Sequence, residues 1–312
     1  MNKRIVILGG GTGGTLTANR LRKHFKHDDG VSITVVDQDG THVYQPGLLF
    51  LPFGLTHAED IMRPRKRQLH QGIEYVATDR PGRSGEDVVL LEDGSELAYD
   101  VLVVATGARL APEETEGLTG PGWNERMFTF YDVPGAEGLQ EALEHFTGGR
   151  LVVNAVDMPI KCPVAPPRVL LPRGLVLTQR GIRDQVEIVF ATPLDGAFTK
   201  PVAPAALADL LDEKGIHLVT EFNTGEVDGA AEGGGGMLVG YDGREVPFDL
   251  LAVIPLHSGA DYVARSEGRR RAQLRPDRRL DAAVEGQGER LRPRRRHEHP
   301  DLQGRIGHPL RG

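Results

Sequence analysis

A glycine-rich turn near the start of the chain constrains the fold more than any other feature of the sequence. Residues 5–8 form a short apolar run that is rich in β-branched side chains and too brief for a helix. The run leads into Gly9-x-Gly11-x-x-Gly14, a helical pattern follows, and the next apolar run ends in Asp37. Strand, glycine turn, helix, strand and terminal acid in this order predict a Rossmann-like α/β domain that binds a dinucleotide.

Each residue of this turn has a physical role in binding a dinucleotide. Gly9 permits the tight turn, Gly11 lets the backbone approach a pyrophosphate, and Gly14 lets the helix pack closely on the strand. Thr12 and Gly13 lie at the predicted helix start, where unpaired N–H groups and the positive end of the helix dipole face the phosphates. Asp37 is the predicted acceptor for an adenosine ribose hydroxyl.

A second candidate contact with the cofactor follows a later buried strand. The stretch LAYDVLVVATGARL ends this strand in Ala105-Thr106-Gly107. Before it, DVVLLEDGSEL alternates around a turn at residues 92–94 and predicts a β-hairpin. The Ala-Thr-Gly stretch resembles the second chain-to-cofactor contact of flavoproteins that have two dinucleotide-binding domains. This resemblance favours FAD over NAD at the first turn and adds Thr106 and Gly107 to the predicted binding residues.

The turn after the second predicted nucleotide-type strand differs from the first. The strand RLVVNAV is followed by DMPIKCPVAP, which contains no glycine and has prolines at 159, 163 and 166. Proline lacks an N–H group and fixes φ, so this turn cannot form a backbone nest for a pyrophosphate. Hydride delivery from NAD(P)H at this position is therefore disfavoured.

This second turn contains Cys162, the only cysteine of the chain. A single cysteine excludes an internal disulfide framework and favours a reducing compartment or a redox role. The adjacent Lys161, and any helix that starts after the turn, would favour the reactive thiolate form. The alternative is an inert thiol buried in the core.

Several stretches together resemble the sulfide:quinone oxidoreductase family. They are PIKCPVAP, TPLDGAFTKP, FNTGEVDG, FDLLAVIPLHSGADYV, VYQPGLLFLPFG and ATGARLAPEETEGLTGPGW, and the resemblance covers residues 1 to about 267. The resemblance implies an FAD-dependent enzyme that oxidises sulfide through a relay between cysteine and flavin and reduces a membrane quinone. Cys162 would be the catalytic thiol that handles the sulfide sulfur. Sulfide and quinone would be the substrates, and a C-terminal region would lie on the membrane surface.

The chain departs from this family after about residue 267. Residues 268–312 contain 13 Arg and no Lys against 6 acidic residues, whereas the preceding part carries a formal charge of −14. This part of the chain lacks three features of the family: the second cysteine, the late FAD-binding segment and the amphipathic C-terminal region. When these residues are translated back into GC-rich codons and read in a frame shifted by one base, sequences that resemble the family appear. This holds for the tail and for residues 79–87 and 166–181. We therefore expect a shifted reading frame, a disordered tail and weak FAD binding by the chain as written.

Two other functions remain open from the sequence. One is an NADH:quinone reductase or another flavoprotein reductase linked to a pyridine nucleotide. The other is nucleic-acid binding through the Arg-rich tail. The tail contains no aromatic residue for base stacking and the body is acidic, so no nucleic-acid partner is predicted. His297 and His299 have no further ligands at zinc spacing, so no metal site is predicted.

The predicted fold class is α/β with two Rossmann-like dinucleotide-binding domains and a degraded C-terminal part. We predict an FAD domain at 1–115, a second Rossmann-like domain with the redox cysteine at 116–260, and the Arg-rich tail at 261–312. No apolar run approaches the ~18 residues of a membrane span, and the start of the chain has no signal-peptide pattern. We expect a cytoplasmic protein, associated peripherally with the membrane in the intact family form, and leave homo-oligomer formation open.

Overall fold

Two parallel β-sheets organise the structure, a computed structural model. It describes residues 3–26, 29–78, 84–85, 87–162, 165–166, 177–198, 204–231 and 234–260. The hypothesis of a shifted reading frame depends on three stretches that lie outside the described residues. They are the predicted tail, most of the residues 79–87 and the stretch 167–176. The two sheets follow each other along the chain, as the sequence predicts for an α/β protein with two nucleotide-type units.

The first sheet contains the glycine turn. Its strands are β1 (Lys3–Leu8), β2 (Val31–Asp37), β5 (Glu74–Ala77) and β9 (Val101–Val104), in the spatial order β5-β2-β1-β9 and all parallel. Helix α1 (Thr12–His24) connects β1 to β2. The last four residues of β1 are buried because the sheet is covered on both faces, as parallel sheets generally are.

Two short excursions leave the first sheet. Between β2 and β5, β3 (Thr41–Val43) pairs antiparallel with β4 (Met62–Pro64), and α2 (Ala58–Ile61) precedes β4. Single 3₁₀ turns lie at Gln45–Leu49, Leu51–Phe53, Arg65–Gln68, Pro112–Glu114 and Arg183–Gln185. The other excursion is an antiparallel sheet of β6 (Ser84–Gly85), β7 (Val88–Leu90) and β8 (Glu96–Ala98). Its β7–β8 pair confirms the hairpin predicted around residues 92–94.

The second sheet has five parallel strands. They are β11 (Met127–Thr129), β12 (Gly149–Ala155), β13 (Val186–Ala191), β14 (Ile216–Val219) and β18 (Leu250–Ile254), in the spatial order β11-β18-β12-β13-β14. Helix α3 (Val133–His145) precedes β12, and α4 (Pro204–Glu213) connects β13 to β14. All five residues of β18 are buried, since helices and a second layer of strands cover this sheet.

An antiparallel meander and one short strand pair complete the fold. The meander contains β15 (Thr224–Asp228), β16 (Gly236–Gly240) and β17 (Glu245–Phe248). The short pair joins β10 (Arg109–Leu110) to β19 (His257–Ser258) where the chain crosses between the two sheets.

The two halves also share apolar contacts. Leu48, Leu49 and Leu51 from the first half belong to the same buried cluster as Phe130 and Leu139 from the second half. Each half nevertheless has its own parallel sheet. The boundaries 1–115 and 116–260 stay a prediction.

Candidate functional site

The first glycine turn leaves no room for side chains at two of its positions. Gly9 has φ +97°, and a Cβ atom there would overlap the carbonyl group of Ala105. A Cβ on Gly14 would overlap the carbonyl oxygen of Gly9. These contacts explain why the turn needs glycine at both positions: one permits the left-handed backbone, and the other permits close packing of α1 on the strand.

The outer side of the same turn is open. A Cβ on Gly11 or Gly13 would meet no atom of the described residues within 4 Å, and Thr12 is exposed. Gly11 is the N-cap of α1 and contributes no side-chain capping bond, and the first turn of the helix contains no acidic residue. The N–H groups and the positive dipole end of α1 are therefore available to an anion such as a pyrophosphate.

Asp37 is tied to the turn by a buried arginine. One carboxylate oxygen of Asp37 accepts a hydrogen bond from Gly10 N and lies 3.4 Å from Arg65 Nη1. The Arg65 side chain is only 8% exposed, and it also donates to Gly10 O and Thr41 O. Its Nη2 lies 3.2 Å from Asp39 Oδ1. Arg65 thus holds the predicted ribose acid and the glycine turn in one network.

Arg65 was not predicted from the sequence as a site residue. It is one of several basic residues in the stretch RPRKR, and nothing in the local pattern distinguishes it from its neighbours. Its role arises from a contact across 55 residues of chain to Gly10. Only the folded structure brings these residues together.

A groove of about 400 Å³ lies beside Asp37 at the carboxyl ends of β2 and β5. Val76, Ala77 and Leu91 give it apolar walls, and its polar lining consists of Gln38, Thr78, Glu92 and Asp93. Apolar walls with hydrogen-bonding groups between them are common in ligand pockets. The open turn, the acid and this groove therefore fit the adenosine and pyrophosphate parts of FAD.

The second predicted cofactor contact lies next to the glycine turn. Ala105 N donates to Leu8 O at 2.7 Å, and this bond places Thr106 beside Gly9. Gly107 is exposed, with φ +68° and open space around its Cα. The structure thus brings the predicted binding residues to one edge of the first sheet: Gly9, Gly11, Thr12, Gly13, Gly14, Asp37, Thr106 and Gly107. Their contacts with FAD stay a prediction.

The second turn occupies the equivalent place in the second sheet. β12 is the central strand, with β13 on one side and β18 on the other, so the chain order reverses at its carboxyl end. In open parallel sheets a dinucleotide binds at such a switch point. Here the strand leads instead through residues 156–161 to Cys162.

Cys162 has a backbone conformation that is uncommon for a residue with a side chain. Its φ is +56°, in the left-handed region, and its carbonyl oxygen accepts a bond from Ala165 N at 2.8 Å. Such conformations cost of order 1–3 kcal/mol and concentrate at functional sites. The thiol is exposed, which contradicts the alternative of a thiol buried in the core.

Tyr131 fixes the main chain beside this thiol. Its hydroxyl donates to Lys161 O at 2.7 Å, and its ring lies 5.9 Å from Lys161 Nζ. Burial raises the pKa of Tyr131, and a negative charge on Cys162 raises it further. Burial lowers the pKa of Lys161, while Asp132 opposes the shift. The cation that the sequence places beside Cys162 is therefore partly desolvated.

His257 completes this group, and no role was predicted for it from the sequence. Its ring meets the Tyr131 ring edge-on, with 5.3 Å between centroids. Its Nδ1 lies 3.0 Å from Pro255 O, and its Nε2 is buried without a hydrogen-bond partner among the described residues. Burial lowers the pKa of His257 and the Lys161 charge lowers it further, while the bond to Pro255 has the opposite effect.

Comparisons with known proteins agree with this architecture. Residues 3–153 match the family model described as pyridine nucleotide-disulphide oxidoreductase. The chain is 24% identical over 266 residues to the mitochondrial sulfide:quinone oxidoreductase of Mus musculus, covering 84% of this chain and 58% of that protein. It is 30% identical over 207 residues to the alternative NAD(P)H-ubiquinone oxidoreductase C1 of Arabidopsis thaliana, covering 59% of this chain and 38% of that protein.

A solved structure gives the same result for the fold. The sulfide:quinone oxidoreductase of Aquifex aeolicus superposes with a TM-score of 0.71 at 24% identity, over 86% of this chain and 62% of that one. The chain thus spans about three fifths of the length of these sulfide:quinone oxidoreductases. The matches confirm the predicted α/β fold class and the resemblance to this family. The relatives are oxidoreductases by name, and the FAD cofactor and the oxidoreductase activity of this chain stay predictions.

Proposed function

We propose that this chain, a relative of the sulfide:quinone oxidoreductases, oxidises sulfide at Cys162 and passes the electrons through FAD to a quinone. FAD bound at the first turn would supply the two-electron acceptor. Sulfide and quinone are then the substrates. As in the family form, the membrane surface would be reached through a C-terminal region; no helix in the described part of the chain is long and apolar enough to span a membrane.

The placement of Cys162 is the observation that carries this proposal. It lies at the switch point of the second sheet, where a related reductase would bind a nicotinamide dinucleotide. The thiol is exposed, the backbone is held in the left-handed region, and a partly desolvated lysine precedes it. A thiol held in this way has the exposure and the cationic neighbour that reactive cysteines need.

The surrounding residues divide the remaining tasks. The glycine turn and the start of α1 would bind the pyrophosphate, and Asp37, held by Arg65, would accept the ribose hydroxyl. Tyr131 holds the carbonyl of Lys161 and so fixes the peptide that leads into Cys162. These residues bind and orient, whereas Cys162 contacts the sulfur.

A second candidate is a quinone reductase that takes electrons from NAD(P)H. The similarity to the Arabidopsis NAD(P)H-ubiquinone oxidoreductase favours it. The second turn argues against it, because residues 156–162 contain no glycine and place a side chain where a pyrophosphate would approach. The nucleic-acid alternative depends on residues 268–312, which lie outside the described part of the chain.

The test is flavin reduction by sulfide in the wild type and in Cys162→Ser. The full chain is loaded with FAD under anaerobic conditions, and bleaching of the flavin absorbance is followed after sulfide is added. The frame-restored chain is measured in parallel, since we expect weak FAD binding by the chain as written. We expect the serine variant to bleach on the order of 10³-fold more slowly, because serine cannot replace a thiolate.

The control is FAD affinity, which the substitution should leave unchanged because Cys162 lies outside the first turn. Equal bleaching rates in the two proteins would show that Cys162 does not carry the reaction.

A further inference from the structure

His257 and Lys161 both contact Tyr131, and the proposed function assigns no role to the buried ring nitrogen of His257. Both face Tyr131, one through an edge-on ring contact and the other through a cation placed over the ring. Their chain segments leave the carboxyl ends of the neighbouring strands β18 and β12. Lys161 precedes Cys162 in the chain, and Tyr131 connects Lys161 to His257.

The hydrogen bond of His257 determines which ring nitrogen carries the proton. A backbone carbonyl oxygen can only accept, so Nδ1 must donate to Pro255 O. In the neutral imidazole the proton is then on Nδ1, and Nε2 presents a bare lone pair. This lone pair is buried and has no partner among the described residues.

Lys161 places a positive charge over the same aromatic ring that His257 contacts. Its ammonium group is partly desolvated, and its charge adds to burial, which is the main cause of the lowered pKa of His257. Among the described residues, the other ionisable groups that interact with this pair or with Tyr131 are Cys162 and Asp132, and Tyr131 itself is ionisable. On the paired strand β10, Arg109 already bonds to Glu113. The site therefore combines one proton acceptor with one cation.

We propose that His257 and Lys161 form the sulfide-binding site next to Cys162. His257 Nε2 accepts a proton from H₂S, and Lys161 Nζ pairs with the hydrosulfide anion that results. The step is a proton transfer only: one S–H bond breaks, one N–H bond forms on the imidazole, and no electron is exchanged. The inference rests on the proposed function, since sulfide is the substrate that this function assigns to Cys162.

The first test is nitrogen NMR of histidine in the chain without FAD. The chain contains 11 histidines, so the resonances of His257 are assigned from the difference between the spectra of the wild type and His257→Asn. His257→Gln replaces this variant if it does not fold. We expect the Nδ1–H tautomer in the free chain. Adding sodium sulfide anaerobically near neutral pH should protonate Nε2, in the wild type and equally in Cys162→Ser. Lys161→Met should weaken the sulfide affinity roughly tenfold or more.

The second test is the pH profile of flavin reduction by sulfide in the FAD-loaded enzyme. His257→Asn should slow this reaction roughly 10²-fold where H₂S predominates. The defect should shrink as the pH rises, because the substrate is then already ionised. The exposed His217 provides the matched control, and His217→Asn should leave the profile unchanged.

Three results would overturn the site. They are an Nε2–H tautomer in the free chain, a His257 signal that saturating sulfide does not move, or a His257→Asn defect that is the same at every pH. Failure of the proposed function gives a different pattern. His257 would still respond to sulfide, but Cys162→Ser would bleach as fast as the wild type.

Discussion

The two turns at the switch points of the parallel sheets occupy equivalent places but contain different types of residue. Each follows the strand of a parallel sheet at which the chain order reverses. The turn at residues 9–14 has glycines that open the backbone toward an anion, and the turn at residues 156–162 has no glycine and presents Cys162. The sheet therefore determines where a ligand can bind, while the turn residues determine which chemistry is available there.

The difference between the turns is also one of charge. The first turn is bound to a buried ion pair between Arg65 and Asp37, whose side chains are 8% and 13% exposed. At the second turn, Lys161 is held over an aromatic ring and burial lowers its pKa. Removing one partner of a buried ion pair leaves an uncompensated charge, whereas Lys161 forms no ion pair within 4 Å among the described residues and its charge remains available to a ligand.

Removing the arginine should give the largest effect on stability. Arg65→Met leaves Asp37 buried beside the turn without its counter-charge, so we expect a loss of about 3–5 kcal/mol in the free energy of unfolding. Chemical denaturation measures it. At the second turn, Lys161→Met should leave the stability unchanged or raise it, because a partly desolvated charge is removed. Equal losses in the two variants would contradict the contrast between the turns.

Filling the closed side of the first turn should have the next largest effect. A Cβ on Gly14 would overlap Gly9 O, so Gly14→Ala must push α1 away from β1. We expect a loss of about 1–3 kcal/mol in stability and a large loss of FAD affinity. Flavin fluorescence titration and thermal unfolding measure the two effects. A variant that binds FAD like the wild type would disprove the proposed packing.

Filling the open side of the same turn should separate binding from stability. A Cβ on Gly11 meets no atom of the described residues within 4 Å and the backbone there has φ −66°, so Gly11→Ala should fold normally. The methyl group would stand where the pyrophosphate approaches, and we expect roughly tenfold weaker FAD binding. An unchanged affinity would place the cofactor elsewhere.

The smallest expected effect is a pH dependence of stability at the second turn. The folded-state pKa of His257 is lowered from its ordinary value of 6.5, so the unfolded chain binds more protons below that pH. The contribution of His257 is therefore fully present above pH 6.5 and is lost as the pH falls through the folded-state pKa. His257→Asn should flatten this part of the stability profile, and the exposed His217→Asn should not.

The sequence predicted the first turn almost completely because its features are local. A strand, three glycines, a helix and a terminal acid lie within 35 residues, and each acts on its chain neighbours. The hairpin β7–β8 was predictable for the same reason. The left-handed backbone of Cys162 was not predicted, because nothing in the residue type indicates it.

Arg65 and His257 were missed because their roles depend on distant contacts. Arg65 contacts Gly10, which lies 55 residues away in the chain. His257 contacts Tyr131, and the two residues follow different strands of the second sheet. Residue type and spacing alone give no signal for such pairs. A sequence pattern can therefore place the dinucleotide turn and the thiol, but the groups that position them require the folded chain.

The most direct test of the account compares two reductants on one FAD-loaded protein. Sulfide or NADH is added under anaerobic conditions, and the absorbance of the oxidised flavin is recorded. The account predicts rapid bleaching by sulfide and none by NADH, because the second turn presents a thiol in place of a phosphate-binding backbone. Rapid bleaching by NADH, with sulfide ineffective, would contradict it.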